Sequence, residues 1–507
     1  MKLVNIIKRD VYFDSVSLML IAKRIRERGG IIDASIMIGT EENLKILETA
    51  GLLKDRNVSA NDIIIAIKGE DRYVEEVSKE IDNYFKEISE KKLSVKKPES
   101  IEEALKLMPD ANLVLISVAG RYVYQIGLEA LNKNLNLKIF SDNVPIEDEI
   151  KLKKIGKEKG LFVLGPDAGT SIINGVPLGF ANVVNRGRIG IIGAAGTGIQ
   201  DASVIISKYG EGISQALGIG SRDLSNEVGG VMAKFCLEEL SNDKNTDLIL
   251  FIAKFSSENV IKDILDFIER KVEKDVVTLF LGIDKKFFKN YKKIIPAYNL
   301  FEAGLKAVYV LNKKDEKEVE KILEKKRLDI KESVSKFKKS KKYIRALYSG
   351  GTLCEDAIIL AEPYLKKIYS NVSKLKELRI DGTEKSKFHT FIDMGSDEFT
   401  KGKPHPMIDF ETRIRRILKE AEDKNVGVII LDIVLGYNAH PEPASEIVKA
   451  IKEARKINSD LEFVVYILGT QNDPQNYSYQ RKILEEAKAI VVDSNYEAIL
   501  AGCEIVL

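Results

Sequence analysis

Short apolar runs alternate with amphipathic stretches along almost the whole chain. The runs fall at 31–38, 63–67, 113–118, 161–164, 189–192, 248–253 and 276–281, then at 391–394, 426–433, 463–468 and 489–492. Such runs are rich in Ile, Val and Leu, as strands buried on both faces are. The stretches between them, for example 258–271 and 411–424, space their apolar residues at i, i+3 and i+4, the period of a helix with one buried face. This alternation predicts α/β architecture built on doubly wound parallel sheets with right-handed crossovers.

One signature occurs twice. The first copy is Arg188-Ile-Gly-Ile-Ile-Gly-Ala-Ala-Gly196-Thr197-Gly198-Ile-Gln-Asp-Ala202, and the second is Arg345-Ala-Leu-Tyr-Ser-Gly-Gly351-Thr352-Leu-Cys354-Glu-Asp-Ala357. The Gly-Thr pairs and the alanines share one offset, 155 residues (196 to 351, 202 to 357). Each copy leaves a strand-like run through a glycine turn and enters a helix-like stretch. A helix start leaves backbone N–H groups unpaired at the positive end of its dipole, which suits an anion. A tight turn with no ligand is the plainer alternative. The constant offset marks an internal duplication of an α/β unit, with boundaries near 180 and 335. A Lys-rich segment, 313–342, reads as a solvated helix and linker between the copies. Neither turn is a P-loop, because no Lys follows the glycines at the required spacing, and neither is a dinucleotide fingerprint.

Composition narrows the class. A length of 507 residues predicts about three domains. A formal net charge of +2 gives no reason to invoke nucleic acid or an acidic membrane. Three scattered cysteines argue against a disulfide framework and fit a reduced, cytoplasmic setting. The charged N-terminus does not read as a signal peptide, and no apolar run is long enough for a membrane span.

Polar residues that a fold does not require cluster after three second-half strands. They are Asp393-Met-Gly-Ser-Asp-Glu-Phe-Thr-Lys-Gly-Lys-Pro-His405-Pro-Met-Ile-Asp409, Leu431-Asp-Ile-Val-Leu-Gly436-Tyr437-Asn438-Ala-His440-Pro-Glu-Pro, and Gly469-Thr-Gln-Asn-Asp-Pro474. Strand C-terminal ends are where open α/β sheets bind ligands. His405 and His440 each precede a proline, and either turn chemistry or an acid–base or phosphate role accounts for them. His389 reads as structural. Arg222, in the matching first-half loop 218–230, is a candidate phosphate or carboxylate fork or else a salt bridge. Cys354 opens a helix, where a thiolate would be stabilised, although buried helical cysteines are commoner. No His/Cys spacing suggests a metal site.

These residues resemble the FdrA family. The likeness rests on Gly165-Pro-Asp-Ala-Gly-Thr170-Ser-Ile-Ile-Asn-Gly-Val-Pro-Leu-Gly-Phe180, Gly193-Ala-Ala-Gly-Thr-Gly198 and Gly218-Ile-Gly-Ser-Arg-Asp-Leu224. It continues with Tyr348-Ser-Gly-Gly-Thr-Leu-Cys354, the 397–409 stretch and Gly436-Tyr-Asn-Ala-His-Pro-Glu-Pro443, so it covers the chain. More remotely, residues 100–330 resemble the α subunit of succinyl-CoA synthetase, and the C-terminal part resembles the CoA-ligase domain of its β subunit. The resemblance implies three-layer α/β domains: a Rossmann-like CoA-binding domain over 1–180, then flavodoxin-like domains over 181–335 and 336–507. It also implies that the helix starts at Gly196-Thr197 and Gly436-Tyr437 match those that hold phosphohistidine phosphate in the synthetases. Backbone groups of Gly196, Thr197, Gly198, Gly351, Thr352, Gly436, Tyr437 and Asn438 are then candidate phosphate or substrate ligands, with Gly39 and Thr40 a weaker candidate turn for CoA.

Departures from the relatives matter. The synthetase α subunit carries its phosphohistidine in a stretch that here reads Gly282-Ile-Asp-Lys-Lys-Phe-Phe-Lys-Asn290, and the first repeat contains no histidine. No ATP-grasp-like domain is present in the sequence, and Ala168 stands where FdrA members usually have Cys. FdrA proteins are linked to oxamate carbamoyltransferase, which with partner subunits in allantoin breakdown converts oxalurate and phosphate to oxamate and carbamoyl phosphate. That reaction needs neither ATP nor a phosphohistidine. The expectation is therefore carbamoyl or acyl transfer through phosphate, with His440, His405 and Arg222 as catalytic candidates, in a hetero- or homo-oligomer. The alternatives are an ADP-forming acyl-CoA synthetase completed by another chain, and a CoA- or metabolite-binding subunit without chemistry.

Overall fold

The structure, a computed structural model, describes residues 1–507 except 10, 12, 14, 55, 60, 61, 91–97, 255, 338–342 and 402. Two compact units divide the chain: residues 1–99 with 400–404, and 100–399 with 405–507. A boundary between compact units thus falls at 99/100, inside the 1–180 stretch expected as one domain.

The first unit contains β1 (Lys2–Lys8), α1 (Ser15–Arg26), β2 (Ile31–Ile38), α2 (Glu41–Thr49), β3 (Ile63–Gly69) and α3 (Asp71–Glu90). Its sheet has order β1-β3-β2 and is antiparallel, so the expected Rossmann-type parallel sheet over 1–180 is not what forms here. The run at 63–67 is apolar throughout because β3 is central and covered on both sides. Ile63, Ile65 and Ile67 meet α1 and α3, while Ile64 and Ala66 meet α2. A central antiparallel strand with two covered faces carries the same sequence pattern as a parallel one.

The second unit opens with α4 (Ile101–Leu107), β4 (Leu113–Ile116), α5 (Val123–Asn132), β5 (Asn136–Ile139), α6 (Ile146–Lys159) and β6 (Val163–Leu164). Strands β4, β5 and β6 form a small parallel sheet. A hairpin, β7 (Thr170–Ile173) and β8 (Val176–Gly179), leads into β9 (Arg186–Gly193), α7 (Gly196–Lys208), β10 (Ile213–Gly218) and α8 (Val231–Asn242). Then come β11 (Leu248–Lys254), α9 (Glu258–Lys271), β12 (Asp275–Leu281), β13 (Ile294–Ala297), α10 (Leu300–Leu311) and α11 (Lys317–Val334). The Lys-rich segment is therefore mostly the helix α11; its residues 338–342 lie outside the described residues.

The last part holds β14 (Tyr343–Tyr348), α12 (Gly351–Ala361), β15 (Ile368–Ser370), β16 (His389–Asp393), α13 (Asp397–Thr400) and α14 (Glu411–Ala421). It ends with β17 (Val426–Val434), α15 (Pro443–Ile457), β18 (Glu462–Leu468), α16 (Tyr477–Glu486), β19 (Ile490–Val492) and α17 (Asn495–Val506). The first large sheet has order β13-β12-β11-β9-β10-β7-β8, and the second has order β15-β16-β14-β17-β18-β19. Five strands correspond in order: β13-β12-β11-β9-β10 matches β19-β18-β17-β14-β16. The duplication read from the glycine turns is thus a duplication of topology, with an antiparallel hairpin added beside β10 in the first sheet and β15 added at the equivalent edge, beside β16, in the second.

The halves join through helices. Residues of α7, α10, α12 and α17 share one apolar core between the two sheets. Two acids at the repeat offset, Asp201 and Asp356, are buried on α7 and α12 in this layer. Asp201 accepts from the Tyr466 hydroxyl, and Asp356 accepts from Leu300 N (2.9 Å) and Asn495 Nδ2 (2.8 Å). Burial pushes Asp201 up to about 6 and Asp356 up to about 7. A raised folded-state value means that folding favours the protonated acid, so this contribution is complete below the ordinary carboxylate range and is lost as pH rises through 6 to 7. Urea unfolding should therefore show less stability at pH 8 than at pH 5.5. Asp201→Asn, which keeps an acceptor for Tyr466, should shrink that difference; an unchanged difference would contradict the assignment.

Candidate functional site

The two glycine turns face each other. Helix α7 starts after Ala195 and α12 after Gly350, and neither start has a side-chain cap. By contrast α9, α10 and α17 are capped by Ser257, Asn299 and Ser494. A methyl placed on Gly350 would collide with Thr197, lying 2.8 Å from its Oγ1 and 3.0 Å from its Cβ. One placed on Gly198 would lie 3.1 Å from Cγ2 of Thr352. Each threonine thus packs on the other turn's glycine, and the two positive helix ends converge. Gly196, Thr197, Gly198, Gly351 and Thr352 are brought together.

The surroundings of the two turns differ. Near α7, the Thr170 Oγ1 is 3.2 Å from where a Gly196 methyl would sit; Thr170 is 1% exposed, and this hydroxyl has no hydrogen-bond partner. Near α12, a methyl on Gly351 would lie 2.7 Å from Asp393 Oδ2 and 3.0 Å from Lys254 Nζ. Lys254 ends β11 and crosses to the other half, where it pairs with Glu355 (2.8 Å). Burial works against its charge, but Glu355 and Asp393 outweigh it and hold the ammonium above its usual value. Asp393 ends β16, and burial pushes it up to about 6. Asp167, in the loop before β7, is also raised by burial, bonds Ser221 and feels Lys254 and Arg222.

A buried lock fixes the second turn. Asp432 on β17 accepts from Ser349 N (2.9 Å), from the Ser349 hydroxyl and from Arg413 NH2 (2.9 Å). The same guanidinium nitrogen reaches Leu347 O (2.9 Å). Both charges are fully buried. Ser349 immediately precedes Gly350, so this pair sets where the α12 turn begins.

Other candidates land elsewhere. Arg222 donates to Val144 O (2.7 Å) and pairs with Glu149 (2.8 Å), so its salt-bridge reading holds and its fork is not aimed at either turn. Gly436 and Tyr437 do not start a helix, since α15 begins at Pro443. Their amides are already used: Gly436 N donates to Gln475 Oε1 (2.9 Å) and Tyr437 N to Ala181 O (2.8 Å). Asn438 Nδ2 donates to Gly179 O (2.6 Å). These three residues tie the 179–182 strand exit to the second half, and the Gly436 and Tyr437 amides are spent on that tie. Gly39 and Thr40 lie in the first unit, where Thr40 caps α2 through Asn43 N (3.3 Å) and Gly39 N donates to Asp62 O (2.8 Å).

The histidines separate. His405 Nδ1 accepts from Met407 N (3.3 Å), which leaves Nε2 as the protonated nitrogen. That Nε2 lies 2.9 Å from a would-be methyl on Gly395, two residues after Asp393. Burial lowers His405 to about 4, so it is a neutral donor at pH 7 and not a proton shuttle. His440 Nδ1 accepts from Glu442 N (3.0 Å), and its ring packs edge-on against Phe410. His440 N also bonds Met407 O (2.8 Å), so the two histidine loops are adjacent. His389 accepts from Ile344 N (3.3 Å) and is structural. Cys354 is buried, and burial pushes its thiol well above its ordinary value, which removes it as a nucleophile.

Sequence reasoning missed Lys254 and Thr170. A lysine directly after six apolar strand residues, 248–253, was the available signal for the first; Thr170 carried none.

Family models agree with this layout. A CoA-ligase model matches residues 347–504, a CoA binding domain model matches 184–280, and one described as AllF, heavy metal-associated domain, matches 1–101. The uncharacterized protein YahF of Escherichia coli (strain K12) is 38% identical over 455 residues, covering 88% of this chain and 86% of that one. The chain belongs to the YahF family. Its sequence is also 27% identical over 190 residues to the α subunit of an ADP-forming succinate–CoA ligase of Aquifex aeolicus (strain VF5), covering 36% of this chain and 60% of the relative. Among solved structures, PH0766 from Pyrococcus horikoshii OT3 aligns over 82% of this chain and 87% of that one at 16% identity, with a TM-score of 0.34. The YahF-family chain is thus a member of the succinate–CoA ligase superfamily with a Rossmann-like CoA-binding region. That region is 184–280, downstream of the Gly39-Thr40 turn expected to serve CoA.

The heavy-metal description of the first unit finds no thiol or imidazole to match. Residues 1–101 contain no Cys or His, and no cluster of three His, Cys, Asp or Glu among the described residues could hold an ion. Nor is any described helix long and apolar enough to cross a membrane.

Proposed function

We propose that this chain is the phosphate-handling subunit of a carbamoyl or acyl transferase, with oxamate carbamoyltransferase as the specific reaction. The observation that carries the reading is the reciprocal packing of two uncapped glycine-turn helix starts, Thr197 on Gly350 and Thr352 on Gly198. Two converging dipoles stabilise one tetrahedral anion better than either would alone. The α7 turn, with Thr197 and the orphan Thr170 hydroxyl, holds the phosphate. Lys254 supplies positive charge from the α12 side, and neutral His405 donates from Nε2 to a substrate oxygen. Electrostatic stabilisation of this kind needs no covalent carrier, which accords with a first repeat that has no histidine. The FdrA resemblance and the AllF description of the first unit both point toward allantoin breakdown. Partner subunits complete the enzyme.

Phosphate binding tests the reading directly. Thr170→Val keeps the shape and removes a hydroxyl that no protein group uses. Calorimetry should show inorganic phosphate binding about fivefold weaker, the loss of about 1 kcal/mol expected for one hydrogen bond, with unfolding stability unchanged or higher. Equal phosphate affinity in the two proteins would remove the α7 turn from the site.

A second reading follows from the succinate–CoA ligase relative: an ADP-forming acyl-CoA synthetase whose nucleotide domain and phosphohistidine come from another chain. Acid-labile phosphohistidine on the complex after incubation with labelled ATP would favour it.

A further inference from the structure

We propose that Asp393 relays the proton from the attacking phosphate to the departing nitrogen at the α12 turn. This step rests on the transferase reading above.

The argument starts from the inequality of the two turns. The α7 start faces an unused hydroxyl, whereas the α12 start faces a carboxylate and an ammonium. Asp393 is fixed by its own backbone: Asn371 accepts from Asp393 N (2.9 Å) and donates to Asp393 O (2.9 Å). Its Oδ1 accepts from Gly395 N (2.9 Å), while Oδ2 takes no hydrogen bond from the described residues and points at the first turn of α12. The titratable and charged groups that act on it are Lys254 from β11, Glu355 and the buried Cys354 thiol from α12, and Asp432 from β17. His405 approaches from the following loop. Each of these is otherwise committed. Asp432 is bound to Arg413 and Ser349, Glu355 is paired with Lys254, and His405 is neutral with Nδ1 occupied. Asp393 alone combines an open oxygen at the turn with a titration near neutral pH, where a general acid–base group works best.

The chemistry balances with one proton. An oxygen of HPO4²⁻ adds to the ureido carbonyl carbon, and its proton passes to Oδ2 of Asp393. The carbon–nitrogen bond then breaks, its electron pair goes to the amide nitrogen, and Asp393 returns the proton there. Carbamoyl phosphate and a free amide leave, and the carboxylate is regenerated with no net proton taken from solvent.

The test uses the chain with its partner subunits, oxalurate and inorganic phosphate, comparing wild type with Asp393→Asn. Phosphorolysis should fall 10²–10⁴-fold in kcat, the range for loss of a positioned acid–base group. The KM for phosphate and its calorimetric affinity should stay within about threefold, and the acidic limb of the wild-type kcat–pH profile should disappear. An Asp393→Asn enzyme with wild-type kcat from pH 5 to 9 overturns the relay alone. Joint loss of phosphate affinity and turnover makes Asp393 structural and overturns it as well. Absence of oxalurate phosphorolysis in the wild type, beside intact phosphate binding, defeats the transferase reading and the relay with it.

Discussion

Asp432→Ala lowers the unfolding free energy by about 3–5 kcal/mol, the cost of leaving one member of a buried ion pair uncompensated. The residue is fully buried at the centre of the second sheet and accepts from the Ser349 amide, the Ser349 hydroxyl and Arg413. Its removal strands a buried guanidinium whose Nε has no partner even in the intact protein. It also frees Ser349, so the α12 turn loses the bond that sets its start. Urea unfolding monitored by circular dichroism measures the first effect. The double variant Arg413→Met/Asp432→Asn should lose less than Asp432→Ala, because no bare charge remains. A single-variant loss below about 1 kcal/mol would mean that water reaches Arg413 and the lock is not dry.

Gly350→Ala separates the two helix starts. The backbone there is extended, with φ of −153°, which any residue adopts, so the variant tests space alone. The added methyl meets Thr197 down to its Cβ, 3.0 Å away, and a threonine on a helix start cannot swing clear as a long side chain would. Overpacking of this sort costs about 1–3 kcal/mol, and phosphate affinity should fall at least about tenfold as the turns part. Thr197→Gly removes the obstructing side chain. In the double variant Gly350→Ala/Thr197→Gly the losses should be clearly smaller than the sum of the single effects, the signature of two residues in contact. Strict additivity in both stability and affinity would show that the turns do not touch in solution.

Much of this was legible in order along the chain. The helix expected over 258–271 forms as Glu258–Lys271 because its spacing and its Ser257 cap agree. The strand runs at 248–253 and 276–281 also appear, since runs of that kind can be buried only between helical layers. The first unit was misread for the same reason: β3 is as apolar as a parallel strand because α1, α2 and α3 cover both its faces. At Gly436 the resemblance to the synthetases implied a phosphate turn. The φ of 104° there serves instead a close approach to Ala181. A glycine signals that the backbone is approached, and only the fold says by what.

The sequence by itself determined the α/β class, the duplication at an offset of 155 and the two glycine turns, because propensity, burial period and repeat spacing are local properties. The tertiary structure alone decided that the turns meet, that Lys254 reaches across the halves to Glu355 and that Asp393 keeps an oxygen at the α12 start. It also decided that Arg222 and Tyr437 are occupied elsewhere. Each of these depends on residues far apart in the chain, whose proximity comes from packing one half's helices on the other's and not from any periodicity within either.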